Sequence, residues 1–313
     1  MSEPRLDVDF IIPAYNEGIG IQHTLESMLA QTFDQALRLH VKVVANNCSD
    51  NTVQIAESEI PTFEEHPNLS LAVFNTDIRG KQKALNYGLE RSSSPITLIG
   101  DADIRYGKGC LEAVVRALDD PDVYISAPFS APVLPERPTT LLEQVQMIKK
   151  IRREEDTPTA PNGTLIGFKR EAIDTFPTNI ASEDTWLSLV TARDHGWAAI
   201  HIDRDVQAYF KSPTNWPEFL RQEARFLRGT RQLLEVKPEL KPVLEAGEAR
   251  QLETQELDQR VAKRWIDAGY SLSTLVYFNT VLPTQIEETY EELKNVLVRP
   301  DLTWDQAITT KQF

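Results

Sequence analysis

Asp101-Ala102-Asp103 is the densest knot of potential chemistry in this 313-residue chain. It follows the apolar run Ile96 to Ile99 and Gly100 directly, so two carboxylates separated by one small residue stand at the end of a buried strand. Carboxylates so placed can share a hard divalent cation such as Mg²⁺ or Mn²⁺. A cation held there would bind a diphosphate and neutralise its charge as it departs. Solvated loops contain the same triplet; its place at a strand end singles this one out. Lys81 opens a helical pattern after Arg79-Gly80, so positive charge and free N–H groups coincide, which suits a phosphate. A solvated lysine fits the same letters. Glu183 and Asp184 follow Ser182 where another helical pattern begins, a capped start whose dipole favours acids and keeps Asp184 ionised.

The elements that must carry these groups alternate. Phe10-Ile11-Ile12 is a short apolar run that stops at Pro13, and Gly18 and Gly20 precede a helical pattern in Ile21, Leu25, Met28 and Leu29. Val41 to Ala45, Leu69 to Phe74 and Ile96 to Ile99 read as further strands; Thr52 to Glu59, Lys81 to Arg91 and Gly109 to Leu118 read as helices. Val123 to Ala127 is expected to be a strand, with Pro128, Pro132, Pro135 and Pro138 breaking the chain after it. Such alternation implies an α/β fold with a mainly parallel central sheet covered by helices. Ligands collect beyond the carboxyl ends of such strands, so the loops at Pro13, Asn46 and Asp101 should share one edge. Farther on, helices are expected over Leu141 to Arg153, from Glu183 to His195 and from Pro217 to Val236, with a strand over Trp197 to Ile202. The basic helix Leu141 to Arg153 could rest on an anionic membrane or pack its apolar face on the core. Beyond Pro238 the chain reads as acidic and helical.

Bulk composition narrows the classes. Lys and Arg total 33 against 47 Asp and Glu, a formal charge of −14, so nonspecific adhesion to nucleic acid is disfavoured. Cys48 and Cys110 form no metal-ligand spacing and no disulfide framework. The acidic N-terminus does not read as a secretory signal, and no run of about 18 apolar residues predicts a membrane span. The expected location is cytoplasmic, at most peripheral at the inner face of a membrane.

Ordered motifs add a resemblance. Ile11-Ile12-Pro13-Ala14-Tyr15-Asn16-Glu17 resembles the opening of family-2 glycosyltransferases, which have the GT-A fold. Val43 to Thr52 resembles their second strand and nucleotide-contacting turn, and Gly80-Lys81 with Ala84-Leu85-Asn86-Tyr87-Gly88 resembles their Gly-Lys helix start. Asp101 and Asp103 fall at the family's metal motif, Ser182-Glu183-Asp184 at its Glu-Asp element, and Gln222 to Phe226 at its Gln-x-x-Arg-Trp element. The matches run in family order from about Phe10 to Gly229.

The resemblance implies a metal-dependent inverting enzyme that moves one sugar from a nucleotide-diphosphate donor, UDP before GDP, to a hydroxyl acceptor. It implies a donor pocket of Pro13, Tyr15 and Glu17 with Asn46 at the base, Lys81 at a phosphate, and Asp101 and Asp103 at Mn²⁺ or Mg²⁺. Asp184 would be the general base that takes the acceptor proton. Gly163 and Glu183 would lie toward the acceptor, and Gln222, Arg225 and Arg228 toward the acceptor or the leaving phosphates. The acceptor is a small molecule, a saccharide or a lipid-linked group. The expected organisation is a GT-A catalytic domain over 1–236, with its donor half about 1–128 and its acceptor half about 129–236, and a helical extension over 237–313. Three departures from the pattern stand out: Ala45-Asn46 where an Asp pair is common, Phe210 where many relatives carry a histidine, and Phe226 in place of tryptophan. His201, the nearby imidazole, reads as a strand residue. A nucleotide-sugar pyrophosphorylase-like nucleotidyltransferase is the nearest other enzyme class, but Pro13 to Gly20 lacks the basic loop it needs. A noncatalytic nucleotide-sugar-binding relative is the third reading.

Overall fold

The computed structural model describes residues 6–33, 37–156, 160–251 and 254–294. The apolar run after Asp7 forms β1 (Leu6–Ala14), and α1 (Gly18–Leu29) follows after a short turn. β2 (Leu37–Asn46), α2 (Thr52–Ser58), α3 (Ile60–Glu65) and β3 (Leu69–Thr76) repeat the unit, and α4 (Lys81–Leu89) leads into β4 (Ile96–Gly100). A three-residue β5 (Ile104–Tyr106) and α5 (Cys110–Ala117) come next, then β6 (Ile125–Val133), α6 (Leu141–Glu155) and β7 (Leu165–Lys169). α7 (Glu183–His195), β8 (Ile200–Lys211) and α8 (Trp216–Val236) complete the central part.

The eight strands form one sheet in the order β3-β2-β1-β4-β7-β6-β8-β5. β3, β2, β1 and β4 run parallel, as does β6 with β8, whereas β7 and the edge strand β5 run against their neighbours. Ile11 pairs with Ile99 and Pro13 with Val44, so the turns after β1, β2 and β4 do share one edge. Two cores explain why these strands carry apolar residues on both faces. Val8, Phe10 and Ile12 pack with Ile21, Leu25 and Met28 of α1, while Ile11, Val44 and Ile99 pack with Leu85 and Leu187 on the opposite face.

Several boundaries differ from the sequence reading. Gly18 and Gly20 lie inside α1 rather than before it. β6 runs through Pro128 and Pro132 to Val133, and its register shifts between Pro128 and Phe129. An irregular position absorbs a missing N–H donor that a regular ladder would not. The strand expected over Trp197 to Ile202 begins at Ile200, after a 3₁₀ turn, and extends to Lys211.

After α8 come α9 (Lys241–Glu248), α10 (Thr254–Asp267), α11 (Leu272–Val276), a π-helical turn over Tyr277–Val281, and α12 (Leu282–Lys294). Residues after Lys294 in the expected extension lie outside the described residues. These helices cover α6: Ile148 and Ile151 pack with Leu257, Val261 and Trp265, and Leu142 and Val145 with Phe219 and Leu282. The apolar face offered above to a membrane is therefore covered by protein. Leu141, the first residue of the helix, is 42% exposed, and Lys149 and Arg152 pair with Glu223 and Asp258. No described helix is long and apolar enough to cross a membrane.

Candidate active site

The turn after β1 and the turn after β2 brace each other. Asn16 adopts φ 51°, and its Oδ1 accepts the Ser49 amide at 2.8 Å. The Asn16 amide reaches Cys48 Sγ, whose thiol donates to the Ala14 carbonyl, both at 3.4 Å. α1 has no cap from its own preceding side chain. Its first amides are taken from across the gap: Glu17 N–H by Thr52 Oγ1 at 2.8 Å and Gly18 N–H by Asp50 Oδ2 at 3.1 Å. Sequence reasoning singled out Pro13, Tyr15 and Glu17 but missed Asn16, Asp50 and Thr52 as their supports. The readable signal was an Asn able to adopt positive φ and an Asp-x-Thr able to cap.

Asn46 ends β2 almost fully buried, at 1% exposure. Its Nδ2 donates to the Gly80 carbonyl at 3.1 Å, while Oδ1 has no hydrogen-bond partner among the described residues. The amide thus struts the start of α4 and leaves one buried acceptor without a partner among the described residues. Lys81 follows immediately. Its Nζ lies 2.6 Å from Asp101 Oδ1 and also pairs with Glu183. Burial by itself would lower the lysine pKa, but the charges of Asp101 and Glu183 outweigh it and raise the value above the ordinary range. Glu183 is 5% exposed and accepts from Gln82 Nε2 at 3.2 Å. It faces α4, where it holds Lys81.

Asp184, one residue later, turns to Gly163. A Cβ built on Gly163 would lie 3.5 Å from Asp184 Oδ2, 3.8 Å from Lys81 Nζ and 3.9 Å from Asp101 Oδ2. Groups from the end of β4, the start of α4 and the start of α7 thus converge on one point. Asp184 Oδ1 accepts the Thr185 amide at 2.7 Å. Burial and then the Glu183 charge push the Asp184 pKa up to about 6, against the pull of Lys81. A carboxyl tuned to that range exchanges protons near neutral pH.

Asp103 is exposed and Asp101 half-buried. Among the described residues no group of three or more His, Cys, Asp or Glu side chains could hold a metal ion. Asp101 and Asp103 fit a cation of the Mg²⁺ or Mn²⁺ kind, which takes one or two carboxylates and fills its remaining positions with water and phosphate oxygens. Phe210 pairs with Ile104 across β5 and β8 and packs against the core, with Arg153 over its ring at 5.9 Å. His201 is an exposed residue of β8.

α8 joins this arrangement at Gly229, where a Cβ would overlap the Ser182 hydroxyl. Gln222 and Arg225 lie about two turns and one turn toward its N-terminus. Arg225 is exposed, 5.7 Å over the Phe226 ring. Arg228 is half-buried beside Tyr290 and Glu235, and burial lowers its pKa. Arg231 pairs with Glu287 at 2.7 Å. The basic residues of α8 therefore divide, with Arg228 and Arg231 turned to α12 and Arg225 to solvent.

The glycosyl transferase family 2 model matches residues 9–176, just over half the chain. Glycosyltransferase AglE of Haloferax volcanii is 32% identical over 111 residues, which is 36% of this chain and 35% of that protein. The match thus spans about a third of that relative's length. The mannosyltransferase PcManGT from Pyrobaculum calidifontis, in complex with GDP-Man and Mn²⁺, superposes with a TM-score of 0.58 at 21% identity, covering 99% of this chain and 89% of that one. S. aureus TarS 1–349 in complex with UDP-GlcNAc gives 0.50 at 17% identity, covering 97% and 89%. At these identities the likeness shows the fold, GT-A. With the family model spanning β1 to beyond β7, the chain belongs to glycosyl transferase family 2.

Proposed function

We propose that the protein is a metal-dependent inverting glycosyltransferase that moves a single sugar from a nucleotide-diphosphate donor to a hydroxyl acceptor. The observation that carries this reading is the convergence of Asp184, Lys81 and Asp101 on Gly163 at the carboxyl edge of the sheet. A base, a cation and a metal-binding carboxylate are the three groups such a transfer needs. In this reading the catalytic unit is residues 1–236, and residues 237–313 are appended to it.

The turns around Tyr15, Glu17 and Asn46 bind the nucleoside, and Asp101 and Asp103 hold Mn²⁺ or Mg²⁺. A cation bound there neutralises the diphosphate. Asp184 takes the acceptor hydroxyl proton on Oδ2 while that oxygen forms its bond to the anomeric carbon. On the opposite face the bond from that carbon to the diphosphate oxygen breaks, and its electron pair leaves with the nucleoside diphosphate. Attack opposite the leaving group inverts the anomeric centre. The Thr185 amide fixes the base through Oδ1, and Lys81 sets positive charge beside the departing phosphates.

GDP-Man and UDP-GlcNAc in the related structures support a nucleotide-sugar donor. The unused Asn46 oxygen suits uracil and guanine alike, since both present a ring N–H. UDP is the first choice, and the acceptor is a small molecule, a saccharide or a lipid-linked group reached from the cytoplasm. The test is turnover of UDP- and GDP-sugars with Mn²⁺ and with chelator. Release of nucleoside diphosphate only with the metal is expected; metal-independent release, or none across donors and acceptors, overturns the reading.

A further inference from the structure

The acidic loop is held from behind by a stripe of polar side chains on α1. Gly20, Thr24 and Ser27 recur at helical spacing, and Gln31 continues the row just past the helix end. Their partners are main-chain groups of residues 102–106. Thr24 Oγ1 donates to the Ala102 carbonyl at 2.9 Å and accepts the Ile104 amide at 3.0 Å. Ser27 Oγ accepts the Tyr106 amide at 3.1 Å, and Gln31 Nε2 donates to the Tyr106 carbonyl at 3.2 Å. β5 is the last strand of the sheet and pairs only with β8. The edge that a ninth strand would occupy is satisfied by side chains of a helix instead.

The bonds at Thr24 differ from the others in what they enclose. Ala102 O and Ile104 N flank Asp103, so one hydroxyl fixes the main chain on both sides of a residue assigned to the cation. Thr24 is wholly buried. At the next position up the stripe, a Cβ on Gly20 would lie 3.0 Å from Asp103 Cβ, 3.2 Å from the Ala102 carbonyl and 3.2 Å from Glu17 Oε2. The helix therefore approaches the loop as closely as a glycine allows. Its first turn is also the one whose amides Asp50 and Thr52 hold.

We infer that Thr24 is a positioning residue for Asp103, setting through α1 the distance between the nucleoside-binding turn and the cation site. This rests on the functional reading above. Loss of the hydroxyl leaves a buried carbonyl and a buried amide unpaired, and the loop then finds another arrangement. Nucleoside contacts, made by the turn before α1 whose amides Asp50 and Thr52 hold without Thr24, are unaffected.

Thr24→Val keeps the shape and removes both bonds. Calorimetric titration of UDP and of GDP at a series of Mn²⁺ concentrations reads the metal and nucleotide terms separately, without turnover. The half-saturating Mn²⁺ concentration is expected to rise about tenfold or more, the usual cost of losing an outer support of a metal ligand. Metal-free nucleotide affinity should stay within about twofold, and Thr24→Ser should restore the Mn²⁺ dependence. Ser27→Ala, which orphans the Tyr106 amide farther along the same stripe, should lower the melting temperature and leave the Mn²⁺ dependence alone. Should Thr24→Val not fold, Gly20→Ala presses on Asp103 without removing a hydrogen bond; because the same Cβ also lies 3.2 Å from Glu17 Oε2, it must raise the Mn²⁺ requirement by more than it weakens metal-free nucleotide binding. An unchanged requirement in the folded variant, or an equal rise in Ser27→Ala, overturns the inference while the functional reading stands. Wild-type protein whose binding of both nucleotides ignores Mn²⁺ overturns the reading itself, and the inference with it.

Discussion

Lys81 and Glu183 form an ion pair between the first residues of two helices, α4 and α7, with Asp101 2.6 Å away on the lysine's other side. The pair joins the acidic loop and the helix that carries Asp184 at a common lysine. Glu183 is buried, so removing only the lysine strands a carboxylate. Lys81→Met should cost about 3 kcal/mol in chemical denaturation. Lys81→Met combined with Glu183→Gln should recover most of that stability but none of the transfer rate. Recovery of both would make the lysine purely structural.

Asp184 carries a prediction in two parts with one cause. As the base it must be ionised, so kcat/KM should fall about tenfold per pH unit below pH 6 and level off above. Asp184→Asn should keep donor affinity and lose transfer by about 10²–10⁴. The stability sign runs the other way. The folded pKa, about 6, lies above the ordinary aspartate value of 3.8, so the folded chain binds this proton more tightly than the unfolded one. Stability contributed by the protonated carboxyl is therefore present below about pH 4 and lost as pH rises through 6. Asp184→Asn should thus be the more stable protein at pH 7–8, by about 3 kcal/mol at most. Melting curves at pH 4 and pH 8 check this; a gap that does not open with pH removes the burial argument.

Asp101 and Asp103 should separate under mutation although they are one residue apart. Asp103 is exposed and Asp101 half-buried, so Asp103→Ala should cost less stability than Asp101→Ala while abolishing Mn²⁺ enhancement of nucleotide binding. Asp101 also holds Lys81, so Asp101→Ala should lose the enhancement and stability together. Calorimetry with thermal unfolding distinguishes the pair. Retained Mn²⁺ enhancement in Asp103→Ala would take that side chain out of the cation site.

What could be read from sequence follows how local each signal is. β1 and β4 are buried on both faces, so Phe10-Ile11-Ile12 and Leu98-Ile99 stand out in any window although Asp9 and Thr97 are buried with them. α7 and α8 begin at the acids after Ser182 and beside Pro217, and both starts were visible. β5 was not, because three residues become a strand only through β8 on one side and Thr24 and Ser27 on the other. Pro128 and Pro132 read as breaks, since nothing local reveals the register shift at Pro128 or that the strand continues through Pro132. At the site, the family order brought out Lys81, Asp101 and Asp184, but not that Glu183 is spent on Lys81 or that Arg228 turns to α12. Which way a side chain faces depends on its tertiary neighbours, and the sequence carries no period for that.

Asn46 tests the nucleoside end of the site independently of metal and base. One Nδ2 hydrogen goes to the Gly80 carbonyl and the buried oxygen has no partner among the described residues, so a base that reaches that oxygen must donate to it. An acceptor fixed in that way selects bases with a ring N–H, uracil and guanine, over cytosine and adenine, whose ring nitrogen at that edge is itself an acceptor. CDP and ADP should therefore bind about tenfold or more weakly than the better of UDP and GDP. Asn46→Asp does not preserve the site, despite placing a carboxylate where relatives commonly have one. It loses the donor to Gly80, buries a charge against a carbonyl, and should cost about 1–3 kcal/mol of stability and displace Lys81. Asn46→Ala loses the base discrimination without adding that repulsion, so it should be the more stable of the two and the less selective. Equal binding of CDP and UDP by the wild-type protein would mean that the Asn46 oxygen does not meet the base.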